Sequence, residues 1–126
     1  MTNSDAKKNI IIVDDEPDIL KTTKMFLESE GFNVETAMDG IAGLEKIRKL
    51  KPDLIVLDLI LPKLDGYKIC RMLKFDSKQK KTPIVIITAR AQEANRKMAE
   101  EVGCDAYITK PFVPEDFLKK IKELLK

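Results

Sequence analysis

The sequence of 126 residues contains no histidine, no tryptophan and only two cysteines. Without histidine, the chain lacks the usual general base, the Ser–His and Cys–His nucleophile pairs, and any phosphohistidine carrier. Cys70 and Cys104 have neither the number nor the spacing of a disulfide framework or a zinc site. We therefore interpret both cysteines as buried, small apolar residues of a protein in a reducing compartment. Any nucleophilic chemistry must therefore rely on carboxylates.

Glycine-rich phosphate loops and long apolar segments are also missing. The five glycines form neither GxxxxGK[ST] nor GxGxxG, so any phosphoryl group must be brought by another molecule. No stretch approaches the roughly 20 apolar residues of a membrane-spanning helix, and residues 1–9 lack the apolar centre of a signal peptide. We therefore expect a cytoplasmic protein without membrane contact.

The composition indicates one ordinary globular domain. A chain of this length with 44% apolar residues fits a single domain spanning residues 1–126. The net charge is only +2, with 23 basic residues spread among 21 acidic ones, which argues against direct binding of nucleic acid. We interpret the lysine-rich stretches 46–51 and 78–81 as solvated helix ends and loop.

The apolar pattern alternates five times between short branched-aliphatic runs and helical spacing, which is typical of βα units and a parallel sheet. The second run alternates apolar and polar residues, so we place that strand at an edge. The predicted strands are residues 10–13, 32–36, 54–57, 84–87 and 106–109. The predicted helices are residues 18–30, 41–50, 66–75, 92–102 and 114–125.

Polar residues follow four of the five predicted strands. Asp14 and Asp15 follow the first strand, Asp58 the third, Thr88 the fourth and Lys110 the fifth. In an open parallel sheet, ligands bind beyond the carboxyl ends of the strands. We therefore expect these five side chains to converge on one edge of the sheet.

Three carboxylates in one place would repel each other unless a cation lay between them. Mg²⁺ prefers carboxylate, water and phosphate oxygens, so the cluster predicts a Mg²⁺ site, with Mn²⁺ as an alternative ion. Together with such an ion, Thr88 and Lys110 are suited to hold the oxygens of a phosphoryl group during transfer. Asp58, on a central strand, is the candidate for the attacking carboxylate.

Four stretches, IIVDDEPDIL, DLIVLDLILPKLDGY, PIVIITA and CDAYITKPF, carry all five of these residues. In order and spacing they resemble the receiver domain of the response regulators of two-component signalling, and are similar to the single-domain chemotaxis type. The resemblance covers essentially the whole sequence. It implies an α/β fold of the flavodoxin-like (βα)5 type, a doubly wound five-stranded parallel sheet flanked by five helices, with strand order 2-1-3-4-5.

The resemblance implies a role for each matching residue. Asp14, Asp15, Asp58 and the backbone carbonyl of Ile60 would bind Mg²⁺, and Asp58 would be the phosphoacceptor.

Thr88 and Lys110 would contact the phosphoryl group. Thr88 and Tyr107 would form a switch in which the aromatic ring changes rotamer on activation. The Lys110–Pro111 peptide bond would be cis.

The implied partners are proteins. A sensor histidine kinase or a histidine phosphotransfer protein would donate the phosphoryl group, and we assign its docking to Ile19, Leu20 and Thr23. A downstream protein, or a second copy of the chain, would bind the face formed by residues 92–102, 106–109 and 114–125. The domain would catalyse only its own phosphorylation and dephosphorylation and would not be an enzyme with a separate substrate.

Two positions beside the site should govern how long the phosphoryl group lasts. Ile60 lies two residues after Asp58 and offers no hydrogen bond to an attacking water, while Arg90 lies two residues after Thr88 and cannot act as a base. We therefore expect slow self-hydrolysis.

Alternative interpretations remain at this point. Asp15 could be a helix-start acceptor, Lys110 a solvated lysine, and Thr88 and Tyr107 ordinary strand residues. A haloacid-dehalogenase-type hydrolase would need an acid where Ile60 stands, and a flavodoxin-like cofactor binder would need Ser, Thr or Gly in the first loop, where DDEPD stands. The domain could also be one module of a transcription factor, although an end at Lys126, directly after the last predicted helix, favours a free-standing regulator.

Overall fold

The computed structural model describes residues 7–89 and 92–126. Strands and helices alternate along the chain. The strands are β1 (Asn9–Val13), β2 (Asn33–Ala37), β3 (Leu54–Leu57), β4 (Ile84–Thr88) and β5 (Ala106–Thr109). The helices are α1 (Pro17–Ser29), α2 (Gly40–Leu50), α3 (Gly66–Lys74), α4 (Glu93–Glu101) and α5 (Pro114–Leu124).

All neighbouring strands pair in parallel, in the order β2-β1-β3-β4-β5. The predicted strand order and the edge position of β2 are confirmed. Element boundaries differ from the predicted ones by at most one residue. One difference matters for the site: Thr88, expected just after the fourth strand, is the last residue of β4 and pairs with Thr109.

Each face of the sheet carries its own apolar core. Alternate residues of a strand point to opposite faces, so Ile11 and Val13 pack with α2, α3 and α4, whereas Ile10 and Ile12 pack with α1 and α5. The three central strands are buried along most of their length, which explains their continuous aliphatic sequences. This two-sided packing fixes the strand ends relative to one another.

Helices α2 and α3 each begin at an aspartate N-cap. The Ala42 N–H donates to Asp39 Oδ1 at 2.8 Å at the start of α2, and the Lys68 N–H donates to Asp65 Oδ1 at 3.0 Å at the start of α3. Each carboxylate satisfies an amide that the first helical turn leaves without a partner. The Lys110–Pro111 bond is cis, as expected.

The two cysteines lie inside the first of these cores. Cys70 is fully buried in the core that contains Ile11 and Val13, and Cys104 is half-buried and packs against the same core. Burial raises the pKa of Cys70 to about 12 and that of Cys104 to about 11, so both thiols stay protonated at neutral pH. Within the described ranges, no helix is long and apolar enough to cross a membrane.

Candidate functional site

The carboxyl ends of β1, β3, β4 and β5 bring Asp14, Asp58, Thr88 and Lys110 together at one edge of the sheet. The Asp58 N–H donates to the Val13 carbonyl oxygen at 3.0 Å, which sets the residues that follow β1 and β3 side by side. The Lys110 N–H donates to the Thr88 carbonyl oxygen at 2.8 Å on the other side of the site. Of the five side chains predicted to converge at this edge, the structure therefore brings Asp14, Asp58, Thr88 and Lys110 there, whereas Asp15 is exposed and is not part of the acidic cluster.

The Lys110 ammonium lies among three carboxylates. Its Nζ donates to Asp14 Oδ2 at 2.7 Å, to Glu16 Oε1 at 2.8 Å and to Asp58 Oδ2 at 3.0 Å. The Lys110 side chain is only 9% exposed, so it is not a solvated lysine. A buried cation with three anionic partners satisfies all three of its N–H donors.

Burial and charge act in opposite directions on these groups. Burial raises the pKa of Asp14, because the hydrogen bond from Lys110 only partly offsets the loss of solvent. For Lys110, burial alone would lower the pKa, but the hydrogen bonds with Asp14, Glu16 and Asp58 outweigh it and raise the pKa above its ordinary value. The lysine therefore stays charged in the site.

The loop after β3 fixes the orientation of Asp58. The Ile60 N–H donates to Asp58 Oδ1 at 3.1 Å, leaving Oδ2 to Lys110. Gly66 packs on this loop so closely that a Cβ there would lie 2.4 Å from the Asp58 carbonyl oxygen and 2.8 Å from Leu59 Cα. The absence of a side chain at Gly66 allows α3 to begin directly against the loop that carries Asp58.

Glu16 belongs to the acidic cluster, although the sequence analysis did not single it out. The carboxylates of Asp14, Glu16 and Asp58 each place one oxygen within 4.8 Å of the others. The Glu16 N–H donates to Asp14 Oδ1 at 3.0 Å, and this tight turn directs the Glu16 side chain towards Lys110. The signal in the sequence was the run of three acids, Asp14 to Glu16, of which only two were assigned.

Asp15 is not part of this cluster. It is exposed, and among the described residues no hydrogen bond or ion pair holds its side chain. Asp15 as a metal ligand therefore stays a prediction, as does the carbonyl of Ile60, whose side chain is 48% exposed beside the site. Arg90 lies outside the described residues.

The donor set of the cluster fits a small hard cation. Three carboxylates within 4.8 Å of one another offer oxygen ligands only, which Mg²⁺ prefers over nitrogen or sulfur. The cluster is open on the Glu16 side, where the side chain is 55% exposed. Water and phosphate oxygens can therefore reach the site.

Thr88 and Tyr107 lie on the sheet next to the site. Thr88 is completely buried and Tyr107 is only 9% exposed. The Arg96 guanidinium of α4 lies over the Tyr107 ring, 5.0 Å from its centroid. The ring is thus already turned largely inward and contacts the neighbouring helix through a cation–π interaction.

Comparisons with known proteins agree on one family. The sequence profile described as the response regulator receiver domain matches residues 10–122. The alkaline phosphatase synthesis transcriptional regulatory protein PhoP of Bacillus subtilis is 41% identical over 94% of this chain and 49% of its own length. The chain thus spans about half the length of this curated relative.

Solved structures show the same likeness. A CheY-like receiver domain protein from Methanospirillum hungatei is 37% identical with a TM-score of 0.89, covering 95% of this chain and 94% of its own. The receiver domain of the sensor histidine kinase PA1611 from Pseudomonas aeruginosa is 28% identical with a TM-score of 0.88, covering 95% and 98%. That second structure has a magnesium ion coordinated in its active site cleft.

Proposed function

Since the chain belongs to the family of response regulator receiver domains of two-component systems, we propose that it accepts a phosphoryl group on the carboxylate of Asp58. The donor is a phosphohistidine of a sensor histidine kinase or a phosphotransfer protein. Its P–N bond breaks, a P–O bond forms to an Asp58 oxygen, and an acyl phosphate results. We also propose that residues 1–126 form this one domain, which catalyses only its own phosphorylation and dephosphorylation.

The observation that carries the proposal is the contact of buried Lys110 with Asp58 at 3.0 Å. The Lys110 ammonium can stay in contact with the Asp58 side chain when the carboxylate becomes an acyl phosphate. It can then also bind the oxygens of the transferred phosphoryl group. Mg²⁺ bound by the acidic cluster would neutralise charge on those same oxygens. Thr88, at the end of β4, supplies a hydroxyl on the same edge of the sheet.

Incubation with acetyl phosphate and Mg²⁺ tests the proposal. Intact-protein mass spectrometry should show one added phosphoryl group, and neutral hydroxylamine should remove it, because an acyl phosphate reacts with that nucleophile. No labelling from acetyl phosphate or from any phosphohistidine donor would contradict the proposed function.

We infer that Asp15 completes the metal site together with Asp14 and Asp58. The Asp15 carboxylate is exposed and, unlike those of Asp14, Glu16 and Asp58, does not pair with Lys110, so it can turn towards an ion without breaking a contact. Asp15→Asn should weaken Mg²⁺ binding by about tenfold or more, and Glu16→Gln by much less. Titration with Mg²⁺ under calorimetry measures both affinities, and the reverse order would place Glu16 in the metal site instead.

Ile60 limits the access of water to the phosphoryl group. Its backbone N–H contacts Asp58 Oδ1, and its apolar side chain cannot orient a water molecule for in-line attack. Ile60→Asn should therefore shorten the lifetime of the phosphorylated protein several-fold, a change in barrier on the order of 1 kcal/mol. The measurement is loss of label after removal of the donor, with Ile41→Asn as an exposed control on α2; equal lifetimes in Ile60→Asn and the native protein would show that Ile60 does not limit water access.

A groove beside the site is suited to the phosphoryl donor. It has a volume of about 320 Å³ and is lined by Ile19 and Thr22 of α1 and by Pro111 and Phe112 after β5, with Lys110 at its edge. Of the three docking residues predicted from sequence, Leu20 is wrong, because it is 6% exposed and packs in the core. Thr23 is also buried, at 7%, but it lines the groove together with Ile19. We propose that the donor contacts Ile19 and its neighbours along this groove.

Phosphorylation would be transmitted to the face formed by α4, β5 and α5. Thr88 lies at the end of β4 beside β5, and Tyr107 of β5 contacts Arg96 of α4, so movement of Thr88 towards the phosphoryl group can alter this contact. Hydrogen exchange should change in α4 and β5 on phosphorylation. A change confined to α1 would contradict the proposal, and Arg96→Ala should reduce the response.

A further inference from the structure

The carboxyl-terminal ends of α2 and α3 lie next to each other at the edge of the sheet where the strands begin, opposite Asp58. Arg48 Nε on α2 lies 4.0 Å from Asp76 Oδ2, just after α3. The side chain of Gln79, 2% exposed, donates from Nε2 to the Ile47 carbonyl oxygen of α2 at 3.4 Å. Two lysine-rich stretches that are distant in sequence therefore form one continuous surface.

The loop after α3 is held in a fixed conformation by its own hydrogen bonds. Asp76 accepts at Oδ1 from the Lys78 N–H at 2.9 Å and at its carbonyl oxygen from the Lys80 N–H at 2.9 Å. Thr82 Oγ1 donates to Gln79 Oε1 at 3.3 Å. The exposed lysines of this loop are thus presented on an ordered backbone, which lowers the entropy cost of binding a partner.

The outer face of α3 adds two apolar side chains to these bases. Lys68, Arg71, Met72 and Phe75 are spaced i, i+3, i+4 and i+7, so they share the face opposite the buried Ile69 and Leu73. Met72 is 38% exposed, and Phe75, at 85%, has the largest exposed fraction of the large hydrophobic residues in the described ranges. We call this the basic surface: Met72 and Phe75, surrounded by Arg48, Lys68, Arg71, Lys78, Lys80 and Lys81.

This region is much more basic than the rest of the chain. Residues 46–51 and 66–81 contain ten basic residues and one acidic residue, Asp76, whereas the net charge of the whole chain is only +2. Favourable interaction with helix dipoles explains bases in the last turns of α2 and α3. It does not explain the three lysines of the loop or the exposed Phe75.

We propose that the basic surface docks an acidic segment of a partner protein that carries an apolar side chain. An apolar centre surrounded by charged residues is the usual arrangement of a protein interface, in which the centre supplies most of the affinity and the rim supplies orientation and rate. Carboxylates of the partner pair with the lysines, and its apolar side chain packs on Phe75 and Met72.

The same features favour a protein over nucleic acid or an anionic membrane. Asp76 follows Phe75 directly, lies 4.0 Å from Arg48 and accepts from the Lys78 N–H, and its side chain is 25% exposed. This carboxylate would face a phosphate group in either alternative, at a cost in electrostatic energy. A protein segment can instead place a backbone N–H or a basic side chain against Asp76.

Fluorescence anisotropy with a short labelled peptide of glutamate and phenylalanine tests the proposal, without Mg²⁺ and without a phosphoryl donor. Because the surface lies opposite Asp58, its binding is independent of the proposed phosphorylation, and Asp58→Asn should bind the peptide like the native protein. Phe75→Ser should weaken binding about fivefold or more, and the triple variant Lys78→Glu, Lys80→Glu, Lys81→Glu about tenfold or more. Phe75, Lys78, Lys80 and Lys81 are exposed, and Asp58→Asn keeps the size of its buried side chain, so the variants should fold, which circular dichroism checks.

A matched control separates this surface from general attraction between charges. Lys119→Glu, Lys122→Glu, Lys126→Glu changes three exposed lysines of α5 and its end by the same total charge and should leave the affinity within about twofold. Equal loss in the two triple variants, or an unchanged affinity in Phe75→Ser, would overturn the proposal. Tighter, Phe75-dependent binding of single-stranded DNA or of phosphatidylglycerol vesicles would also overturn it, in favour of that partner.

Discussion

Asp58→Asn should carry no phosphoryl group after incubation with acetyl phosphate and Mg²⁺, whereas the native protein should carry one. The asparagine keeps the size of the side chain and an oxygen to accept the Ile60 N–H, which lies 3.1 Å from Asp58 Oδ1. It removes the carboxylate proposed to attack phosphorus. Intact-protein mass spectrometry measures the difference directly.

A control substitution keeps this result specific to Asp58. Asp116→Asn alters an exposed aspartate in the first turn of α5, outside the acidic cluster, and should be labelled like the native protein. Full labelling of Asp58→Asn would assign the phosphoacceptor to another residue. It would leave the family membership intact and would contradict only the role proposed for Asp58.

Lys110→Ala should slow phosphorylation from acetyl phosphate by a factor on the order of 100, the usual cost of losing a charged group that stabilises a transition state. Lys110 supplies the ammonium that contacts Asp58 at 3.0 Å and Asp14 at 2.7 Å. Without it, the two buried carboxylates face each other with no cation between them, so the unfolding temperature in buffer without Mg²⁺ should also fall. Labelling kinetics and thermal unfolding test the two effects separately.

Lys63→Ala is the matched control for Lys110→Ala. Lys63 also pairs with an aspartate, 3.6 Å from Asp39 Oδ2, but its side chain is 64% exposed, so the pair contributes little to stability. The labelling rate and the unfolding temperature of Lys63→Ala should both stay close to those of the native protein. A Lys110→Ala variant that is labelled as fast as Lys63→Ala would contradict the role assigned to Lys110.

The sequence was enough to predict the elements and most of the site, because both depend on local patterns. Changes in apolar period marked all five strands and five helices, and the edge position of β2 followed from the alternation of Val34 with its polar neighbours. The rule that ligands bind beyond the carboxyl ends of parallel strands brought Asp14, Asp58, Thr88 and Lys110 to one edge without any knowledge of distance. The strand order came from resemblance to the family rather than from the patterns themselves.

The tertiary structure decided what depends on the packing of separate elements. Local patterns do not show that Glu16 turns towards Lys110 while Asp15 faces solvent, because one tight turn at Asp14 sets both directions. Local patterns also led to the prediction that Leu20 is a docking residue. The orientation of α1 on the sheet instead buries Leu20 in the core.

The sequence by itself therefore determined which chemical groups are available and at which strand ends they lie, since these follow from residue type and order. Only the tertiary structure decided which of those groups meet. Gly66 approaches the backbone of Asp58 because α3 begins directly on the loop after β3. The two lysine-rich stretches, which alone resemble solvated helix ends and loop, become one surface because buried Gln79 joins the loop after α3 to the end of α2. Such contacts are set by core packing between elements far apart in the chain, which no local pattern records.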